Sequence, residues 1–494
     1  MHDLLEAAVV REFLGDRDVE VRALAHDSRG VTPGACFLCI PGAAFDGHDF
    51  APAAVRRGAR SLVVERVLPD LPVTQVRVDD VRLAIGPLAS RFHGDPSTTL
   101  ATYGITGTNG KTTSTYLLGA ILEASGLRTA VIGTTGARLG GDVLPMTHTT
   151  PEATDLQGLL AHVRDGGGEA VAMEVSSHAL DLHRVDGTRF AVVGFTNLTQ
   201  DHLDYHGDLD AYFDAKARLF TPTFTRRAVV NLDDPRGAGL LGRARAGGVE
   251  AIGFRVADDG RSRGAAVWAS DVDLGPDGSA FELHHELGGS RGSARVSVPL
   301  AGRFNVENAL LAAAMALVGG CAADAVASGL ASSGPVPGRM EPVESGQPFS
   351  VLVDYAHTPD ALERVVAAAR ELAAGRVLLV FGCGGDRDRA KRVPMGVAAA
   401  GADLVWLTND NPRSEDPTAI ADDVARGLVA GGAEYVVELD RRAAIAAAIA
   451  AARPGDIVLI AGKGHESGQI FGTRILPFDD RDVARGVLAE VGAS

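Results

Sequence analysis

The stretch of residues 104–113, Gly-Ile-Thr-Gly-Thr-Asn-Gly-Lys-Thr-Thr, carries the residue types that bind phosphate. It follows an apolar run and precedes a helical pattern, so it predicts a glycine-rich turn between a strand and a helix. In such a turn, backbone N–H groups and the positive end of the helix dipole bind an anion. Lys111 adds a mobile positive charge, and the hydroxyl of Thr112 can bind Mg²⁺. The stretch therefore predicts a site for the phosphates of a nucleotide.

The stretch departs from the general phosphate-loop formula. Counting back from Gly110, that formula places a glycine at position 105, where this chain has Ile105. The fit is to a narrower form, Thr-Gly-Thr-Asn-Gly-Lys-Thr-Thr, over residues 106–113. This narrower form resembles the loops of the Mur ligases and the folylpolyglutamate synthases, which are ATP-dependent enzymes that join an amino acid to a carboxylate.

Six apolar runs further along the chain each end in a turn rich in Gly, Asp, Asn or Arg. Ligands of open parallel sheets bind beyond the carboxyl ends of the strands, so six such turns indicate a composite site. One run leads into Glu174 and another into the turn that holds His202. Both side chains suit a Mg²⁺ ion facing the phosphate loop. The other four turns are residues 354–357, 382–387, 408–413 and 462–466.

Some residues carry little weight on their own. A single histidine such as His202 is typical of a loop or a core, and its place after a strand is what raises its interest. Lys216 falls on a predicted amphipathic helix, where the residues alone favour a surface lysine. Asp27-Ser-Arg29 is consistent with a simple turn.

Composition and charge exclude several classes of protein. The formal net charge is −16, and neither a basic run nor interleaved aromatic and basic residues appear, which argues against binding nucleic acid. No run is long and apolar enough to span a membrane. The N-terminal residues lack the pattern of a secretion signal, and the four cysteines are sparse, so we expect a cytoplasmic protein. Cys36 and Cys39 lie in an apolar run, which favours a buried strand over a zinc or redox site.

The length of 494 residues predicts three domains. Changes of pattern place them at residues 1–97, 98–336 and 337–494, all of α/β type. The first is small, the second contains the phosphate loop in a mostly parallel sheet, and the third is Rossmann-like. Alternating residues between about 264 and 300 predict a small antiparallel insertion, with His284 and His285 on a strand face.

With these residues in view, the chain resembles the Mur ligase family over essentially its full length, and within it the branch that adds meso-diaminopimelate during peptidoglycan synthesis. The matching blocks occur in the same order along the chain. They are Asp27–Arg29, Gly107–Thr113, Thr149–Pro151, Met173–His178, Thr196–Leu198, Asp201–His206, Gly302–Asn308, Pro337–Glu341, Asp354–Pro359 and Asp410–Arg413.

This resemblance implies an activity. ATP and Mg²⁺ would convert the D-glutamyl carboxylate of UDP-N-acetylmuramoyl-L-Ala-D-Glu to an acyl phosphate, which the amine of meso-diaminopimelate would attack. The domains would bind the UDP-sugar, ATP and the amino acid in chain order, and the enzyme would be a monomer with small-molecule substrates.

The resemblance also implies a role for individual residues. ATP would contact Gly107, Thr108, Asn109, Gly110, Lys111, Thr112, Thr113, Asn305, Arg339 and Asp354. The UDP-muramoyl-dipeptide would contact Ser28, Thr149, Thr150, Ser176 and Arg184. Mg²⁺ would be held by Thr112, Glu174 and His202, and the catalytic residues would be Lys111, Glu174, His202 and Lys216, the last as a carbamate. Diaminopimelate would contact Arg387, Asp410, Asn411, Pro412, Arg413, Gly462 and Glu466.

The choice of amino acid has a physical basis in Arg413. Diaminopimelate differs from lysine by a second carboxylate, which a guanidinium can bind through a charge-assisted pair. Lysine would leave that guanidinium unpaired, at a cost on the order of 1–3 kcal/mol. One position departs from the family pattern, because Leu182 stands where many relatives have a glutamine that touches the dipeptide.

Three other interpretations remain open from the sequence. A lysine-adding ligase of the same family is disfavoured by Arg413. A folylpolyglutamate synthase would share the phosphate loop but gives Asp27-Ser-Arg29 no purpose. A nucleotide-dependent scaffold protein without catalysis is disfavoured because the chain retains all four predicted catalytic residues, Lys111, Glu174, His202 and Lys216.

Overall fold

A computed structural model of the protein describes residues 1, 4, 6–42, 45–146, 148–257, 259–275 and 278–492. It contains three β-sheets that follow one another along the chain, each packed with helices, and a separate two-stranded hairpin. The predicted three-domain α/β fold is confirmed. Among the described residues, no helix combines the length and the apolar character needed to cross a bilayer.

The first sheet has five strands in the order β1-β5-β4-β3-β2, and only β1 runs antiparallel. Cys36 lies in β3 and Cys39 directly follows it, and both are buried with free thiols. The elements are β1 (Val10–Leu14), β2 (Ala23–Ala25), β3 (Ala35–Leu38), α1 (Ala51–Arg56), β4 (Ser61–Val64), β5 (Thr74–Val78) and α2 (Val81–Phe92).

The central sheet has eleven strands in the order β16-β15-β14-β13-β12-β11-β6-β10-β7-β8-β9. Its middle is parallel, and both of its edges are antiparallel. The strands are β6 (Ala101–Thr106), β7 (Thr129–Gly133), β8 (Gly136–Leu139), β9 (Asp142–Leu144), β10 (Ala170–Glu174), β11 (Val192–Phe195), β12 (Arg227–Asn231), β13 (Glu250–Val256), β14 (Val267–Gly275), β15 (Gly278–Leu287) and β16 (Ser290–Val298). Strands β14 to β16 form the predicted antiparallel insertion, and β15 contains His284 and His285.

Helices cover the central sheet, and the alanine-rich helix α9 is buried against strands β11 to β15 with α3 packed beside it. Its small side chains let the neighbouring backbones approach closely. The helices are α3 (Lys111–Ala124), α4 (Ala153–Asp165), α5 (Ser177–Asp181), α6 (Leu203–His206), α7 (Leu209–Ala217), α8 (Gly237–Ala246), α9 (Arg303–Gly319) and α10 (Ala323–Ala331).

The third sheet has six strands in the order β17-β18-β22-β19-β20-β21, with only β17 antiparallel. Its strands are β17 (Glu341–Pro342), β18 (Ser350–Asp354), β19 (Val377–Phe381), β20 (Leu404–Leu407), β21 (Tyr435–Val437) and β22 (Ile457–Ala461), and the hairpin is β23 (Gly468–Phe471) with β24 (Arg474–Pro477). The helices are α11 (Pro359–Leu372), α12 (Arg392–Ala399), α13 (Pro417–Gly431), α14 (Arg441–Ala451) and α15 (Asp480–Gly492).

Strand order decides which loops meet. In the central sheet β6 lies between β10 and β11, so the phosphate loop after β6 is flanked by Glu174 at the end of β10 and by residues 196–202 after β11. In the third sheet β22 lies between β18 and β19, which gathers the four predicted polar turns at one edge. The carboxyl ends of both sheets therefore carry the candidate site residues.

Candidate active site

The phosphate loop depends on two glycines with positive φ. Gly107 has φ 149° and Gly110, which immediately precedes α3, has φ 84°. A Cβ atom on Gly110 would lie 2.1 Å from Oδ1 of Asn308, and one on Gly107 would lie 1.8 Å from Oγ1 of Thr196. Both positions therefore require glycine for reasons of space as well as backbone conformation.

A cavity of about 240 Å³ opens above this loop, between the central sheet and the third sheet. Most of the predicted ATP and metal residues line it, on one wall or the other. They are Thr108, Asn109, Gly110, Lys111, Thr112, Thr113, Glu174, His202, Arg339 and Asp354, together with the predicted dipeptide residues Thr149 and Ser176.

Lys111 is folded back onto its own loop. Its Nζ donates to the carbonyl oxygen of Gly107 at 3.0 Å and to that of Thr108 at 2.8 Å. Burial lowers the pKa of Lys111, while the carboxylates of Glu174 and Asp201 act in the opposite direction. The ammonium group is therefore held at the cavity wall without an ion-pair partner among the described residues.

Thr134 orients the carboxylate of Glu174. Oε1 of Glu174 accepts from the backbone N–H of Thr134 at 2.7 Å, and Oε2 accepts from its hydroxyl at 3.0 Å. That hydroxyl also lies 3.2 Å from Oγ1 of Thr149. The carboxylate is buried and fixed in direction, which suits a group that must hold a cation.

His202 takes φ 53°, and its Nε2 lies 3.3 Å from Oδ2 of Asp201. Burial lowers the pKa of His202 to about 4, with a further contribution from His178, so its ring is neutral near pH 7. For Asp201, burial raises the pKa, but the neighbouring groups His202, His357, Lys391 and Lys111 together more than offset this effect, and the net direction is downward.

These donors fit Mg²⁺ as a partly hydrated ion. In the described part of the chain, no three His, Cys, Asp or Glu side chains form a complete metal cluster. Mg²⁺ keeps several waters and takes phosphate oxygens, so it needs only one or two protein carboxylates. Glu174, the hydroxyl of Thr112 and a neutral His202, which all line this cavity, meet that requirement.

Lys216 is not the surface residue that its sequence context favoured. It is 1% exposed, and its Nζ donates to the carbonyl oxygen of Gly107 at 2.7 Å. The same atom lies 4.2 Å from the centroid of the Tyr212 ring. Burial lowers the pKa of Lys216 well below its ordinary value, and the charge of Lys111 adds to the effect. The helix pattern could not show this, because the burying partner is the phosphate loop.

Arg339 crosses from the third sheet to the phosphate loop. Its Nη2 donates to Oγ1 of Thr112 at 3.0 Å, and its guanidinium lies 4.6 Å from the centroid of the Tyr355 ring. Asp354 supports this segment, since its carboxylate accepts from the backbone N–H groups of Met340 at 2.8 Å and Ala356 at 2.7 Å. Burial raises the pKa of Asp354.

The structure separates Asn305 from the cavity. Its Nδ2 donates to Ala301, and its Oδ1 accepts from Nδ2 of Asn308 at 3.2 Å. Asn308, one helical turn further along α9, is the residue that lines the cavity beside Gly110. Asn305 therefore supports the lining residue from behind.

The remaining dipeptide residues lie to one side of the cavity. The hydroxyl of Thr150 donates to the carbonyl oxygen of Glu174 at 2.9 Å. Nη1 of Arg184 donates to the carbonyl oxygen of Thr150 at 3.3 Å, and its Nε lies 2.9 Å from Oε1 of Glu152. Ser28 begins a short 3-10 helix in the first domain and does not line the cavity.

The predicted amino-acid residues form a second group at the edge of the third sheet. Nδ2 of Asn411 donates to Oε2 of Glu466 at 2.9 Å, and a Cβ atom on Gly462 would lie 2.7 Å from Oδ2 of Asp410. Pro412 is buried, Arg387 is exposed, and burial lowers the pKa of Arg413 with a further contribution from Arg387.

Arg413 is held by its backbone. It takes φ 53°, its N–H donates to the carbonyl oxygen of Ile470 at 3.0 Å, and its own carbonyl accepts from Gly472 at 2.7 Å. Its Nη1 donates to the carbonyl oxygen of Gly385 at 2.7 Å. The hairpin β23–β24 therefore fixes the turn that carries this guanidinium.

Contacts between backbones link the two groups. A Cβ atom on Gly338 would lie 2.2 Å from the backbone nitrogen of His465, and the rings of Tyr355 and His465 are 5.1 Å apart. The segment that carries Arg339 is therefore packed directly against the loop that carries Glu466.

Three residues of the candidate site were not predicted from the sequence. Thr134 follows the end of β7, so the strand-end rule could have found it. Asn308 is three residues from Asn305 on the same helix face, so the helical period alone could not decide which of the two lines the cavity. Lys463 is fully buried beside Glu466, and no sequence signal distinguished it from an exposed loop lysine.

Comparisons with known proteins cover most of the chain. The model of the Mur ligase middle domain matches residues 105–316, that of the Mur ligase glutamate ligase domain matches residues 338–464, and that of the Mur ligase family catalytic domain matches residues 20–93.

Two curated relatives carry the name UDP-N-acetylmuramoyl-L-alanyl-D-glutamate--2,6-diaminopimelate ligase. The protein from Solibacter usitatus is 46% identical over 96% of this chain and 94% of its own length. The protein from Geobacter metallireducens is 43% identical over 100% and 99%. A solved structure with the same name aligns with a TM-score of 0.71 at 33% identity, over 100% of this chain and 99% of its own.

Proposed function

The chain belongs to the Mur ligase family, and on that premise we propose that it joins meso-diaminopimelate to the D-glutamyl carboxylate of UDP-N-acetylmuramoyl-L-Ala-D-Glu at the expense of ATP. The observation that carries the proposal is the shared cavity, in which the phosphate loop, Glu174 and His202 of the central sheet meet Arg339 of the third. A phosphoryl transfer site needs this convergence of cations and metal donors.

The phosphate loop and two cations would bind the triphosphate. The N-terminal residues of α3, Lys111, Thr112 and Thr113, line the cavity, where their backbone N–H groups would bind phosphate oxygens. Lys111 has only carbonyl partners, so a phosphate oxygen would be a stronger acceptor for its ammonium group. Arg339 already contacts Thr112 and would add positive charge from the opposite side.

Glu174, His202 and Thr112 would hold Mg²⁺. When bound, the ion would neutralise phosphate charge and so favour transfer of the γ-phosphoryl group to the substrate carboxylate. The role of Thr134 is to keep the Glu174 carboxylate in one orientation through its two hydrogen bonds.

Lys216 would act as a carbamate. That reaction needs an uncharged amine, which adds to carbon dioxide with loss of one proton. Burial favours this state, because it lowers the pKa of Lys216 well below its ordinary value. The resulting anion would lie beside the ammonium of Lys111, because both amines contact the same carbonyl oxygen.

The other substrates would bind on either side of the nucleotide. Thr149 and Ser176 line the cavity and would place the D-glutamyl carboxylate near the γ-phosphate, with Thr150, Arg184 and Ser28 further along the UDP-sugar arm. The group around Asn411, Arg413 and Glu466 would present the amine of diaminopimelate to the acyl phosphate. Contact between the two protein walls would exclude water, which would otherwise hydrolyse that intermediate.

The direct test is phosphate release by the purified protein. We expect release only when ATP, Mg²⁺, UDP-N-acetylmuramoyl-L-Ala-D-Glu and meso-diaminopimelate are all present, with a tripeptide product of matching mass. Replacing diaminopimelate with L-lysine in a parallel assay tests the lysine-adding alternative. Equal turnover of the two amino acids would contradict the assignment of diaminopimelate.

A further inference from the structure

Lys463 is a buried lysine beneath the predicted amino-acid site. It lies two residues after β22, and its side chain is 0% exposed. Its Nζ donates to Oε2 of Glu466 at 2.9 Å and to Oδ1 of Asn411 at 3.2 Å. It is not among the residues predicted to contact a substrate.

A buried ammonium group is costly for a fold. Removing it from water is offset only when good partners surround it, and an apolar side chain of similar volume is often no less stable. A lysine at this position is therefore better explained by what it does to its partners than by the stability of the domain.

Its two partners are tied to each other and to the hairpin. Oδ1 of Asn411 accepts from Lys463 and also from the backbone N–H of Ile470 at 3.0 Å. Nδ2 of Asn411 donates to Oε2 of Glu466 at 2.9 Å. Every polar atom that fixes Oε2 of Glu466 thus belongs to a single small network.

This network leaves the other carboxylate oxygen available. Glu466 is 33% exposed at its side chain, and within the described residues its Oε1 accepts no hydrogen bond while Oε2 accepts two. An oxygen so placed can accept from an ammonium group of an amino acid. The hydrogen bonds from Lys463 and Asn411 to Oε2 fix the orientation of the carboxylate, and so fix the position of Oε1.

We propose that Lys463 is a positioning residue for the amino acid: it fixes Glu466 and Asn411 in the arrangement that binds an amino-acid ammonium group, without touching the substrate itself. This inference rests on the proposed function and deepens it. It predicts that Lys463 affects the concentration of diaminopimelate that the enzyme needs, and leaves the use of ATP unchanged.

A matched control exists at the other end of the same sheet. Arg376 precedes β19, and its Nη2 lies 2.6 Å from Oδ2 of Asp456, which precedes β22 and is 4% exposed at its side chain. This pair joins strands β19 and β22 at their amino ends, far from the turns that carry Glu466 and Asn411. Its loss should weaken the domain without changing the amino-acid site.

The test is steady-state kinetics of the full-length protein with each substrate varied. For Lys463→Met we expect the KM for meso-diaminopimelate to rise about tenfold or more, while kcat and the KM for ATP change by less than about threefold. Arg376→Met should lower the melting temperature and leave all three constants near those of the wild type. A Lys463→Met protein with an unchanged KM for diaminopimelate, or with an equal rise in the KM for ATP, would overturn the inference.

A double-mutant cycle with Glu466→Gln gives an independent reading. If Lys463 acts through Glu466, adding Lys463→Met to Glu466→Gln should raise the KM for diaminopimelate by much less than Lys463→Met does alone. In the single variant the Glu466 carboxylate loses its lysine partner, whereas the double variant has no carboxylate at this position. The double variant can therefore be assayed if Lys463→Met alone fails to fold. A further full tenfold rise in the double variant would contradict positioning through Glu466. Absence of ligation by the wild type would instead refute the proposed function.

Discussion

Lys111 and Lys216 donate to the same carbonyl oxygen, that of Gly107, at 3.0 and 2.7 Å. Neither amine has a carboxylate as a hydrogen-bond partner within the described part of the chain. Burial is the larger cause of the lowered pKa of Lys216, and the nearby charge of Lys111 is the second. The phosphate loop therefore holds one amine that faces the nucleotide cavity and one that is buried behind it.

We predict that Lys216→Met makes the protein more stable and much less active. The folded-state pKa of Lys216 is lowered, so between that value and the ordinary pKa of lysine the unfolded state binds more protons. Folding is therefore opposed most at neutral pH and less as the pH rises. Denaturant unfolding in bicarbonate-free buffer should show a gain for the variant at pH 7 that shrinks by pH 9.

The activity of the Lys216→Met protein should fall about a hundredfold or more, measured as phosphate release. A stability difference between variant and wild type that does not change from pH 7 to pH 9 would contradict a lowered pKa for Lys216. A variant of unchanged activity would remove Lys216 from the proposed reaction.

Lys111→Ala should lower kcat by a factor of about 10²–10³, because the variant loses a cation that stabilises charge developing on the transferred phosphoryl group. Circular dichroism should show an unchanged fold, since Lys111 bonds only to carbonyl groups of its own loop. The assay is phosphate release at saturating ATP. Full activity in this variant would refute the nucleotide site.

Arg339→Gln should raise the KM for ATP about tenfold, because the residue brings positive charge to Thr112 from the third sheet. Arg339→Lys is the matched control, since it keeps the positive charge but loses the planar guanidinium group, and an intermediate effect is expected. Equal KM values for the wild type and Arg339→Gln would mean that the observed contact with Thr112 is not part of nucleotide binding.

Arg413→Gln should reduce the preference for meso-diaminopimelate over L-lysine. The ratio of their kcat/KM values should fall about 10- to 100-fold, chiefly through poorer use of diaminopimelate, because the second carboxylate loses its partner. Arg389→Gln is a suitable control, since Arg389 is 71% exposed at its side chain and pairs with Glu415 at 2.8 Å. If Arg413→Gln kept the wild-type ratio of the two kcat/KM values, residues other than Arg413 would determine the preference for diaminopimelate.

His465→Gln should make stability less sensitive to acid. Burial and the nearby charge of Arg339 lower the folded pKa of His465 to about 4, against about 6.5 when unfolded. The unfolded state therefore binds more protons between these values, and stability falls as the pH drops through that window. The wild type should lose about 2 kcal/mol at pH 5 through this residue, a loss that the variant avoids.

Urea unfolding at pH 7 and pH 5 checks this prediction. His162→Gln provides the comparison, because His162 is exposed on α4 and should leave the acid sensitivity of the wild type unchanged. Identical acid sensitivity in the wild type and His465→Gln would show that folding does not lower the pKa of His465.

The strand-end rule predicted much of this site from the sequence. The residues after β6, β10 and β11 meet at one cavity because β6 lies between the other two strands, and polar turns after apolar runs made Glu174 and His202 visible. The parallel third sheet gathered its own polar turns in the same way.

The sequence could not show which side chains are buried by contacts between distant segments. Lys216 and Lys463 look like ordinary surface lysines, and each is buried by a loop from elsewhere in the fold. Likewise Asn305 and Asn308 share a helix face, and only the approach of Gly110 decides which one reaches the cavity. Periodicity describes a segment's own faces and contains no information about what will cover them.

The tight packing of Gly338 against the backbone of His465 has an operational consequence. The segment that carries Arg339 and the loop that carries Glu466 touch through their backbones, with no side chain between them. We therefore expect the two to move together. In the proposed reaction, contact with ATP and presentation of the amino acid would therefore depend on one movement of the C-terminal domain. Under the proposed function, this coupling would limit ATP hydrolysis that is not followed by amide formation.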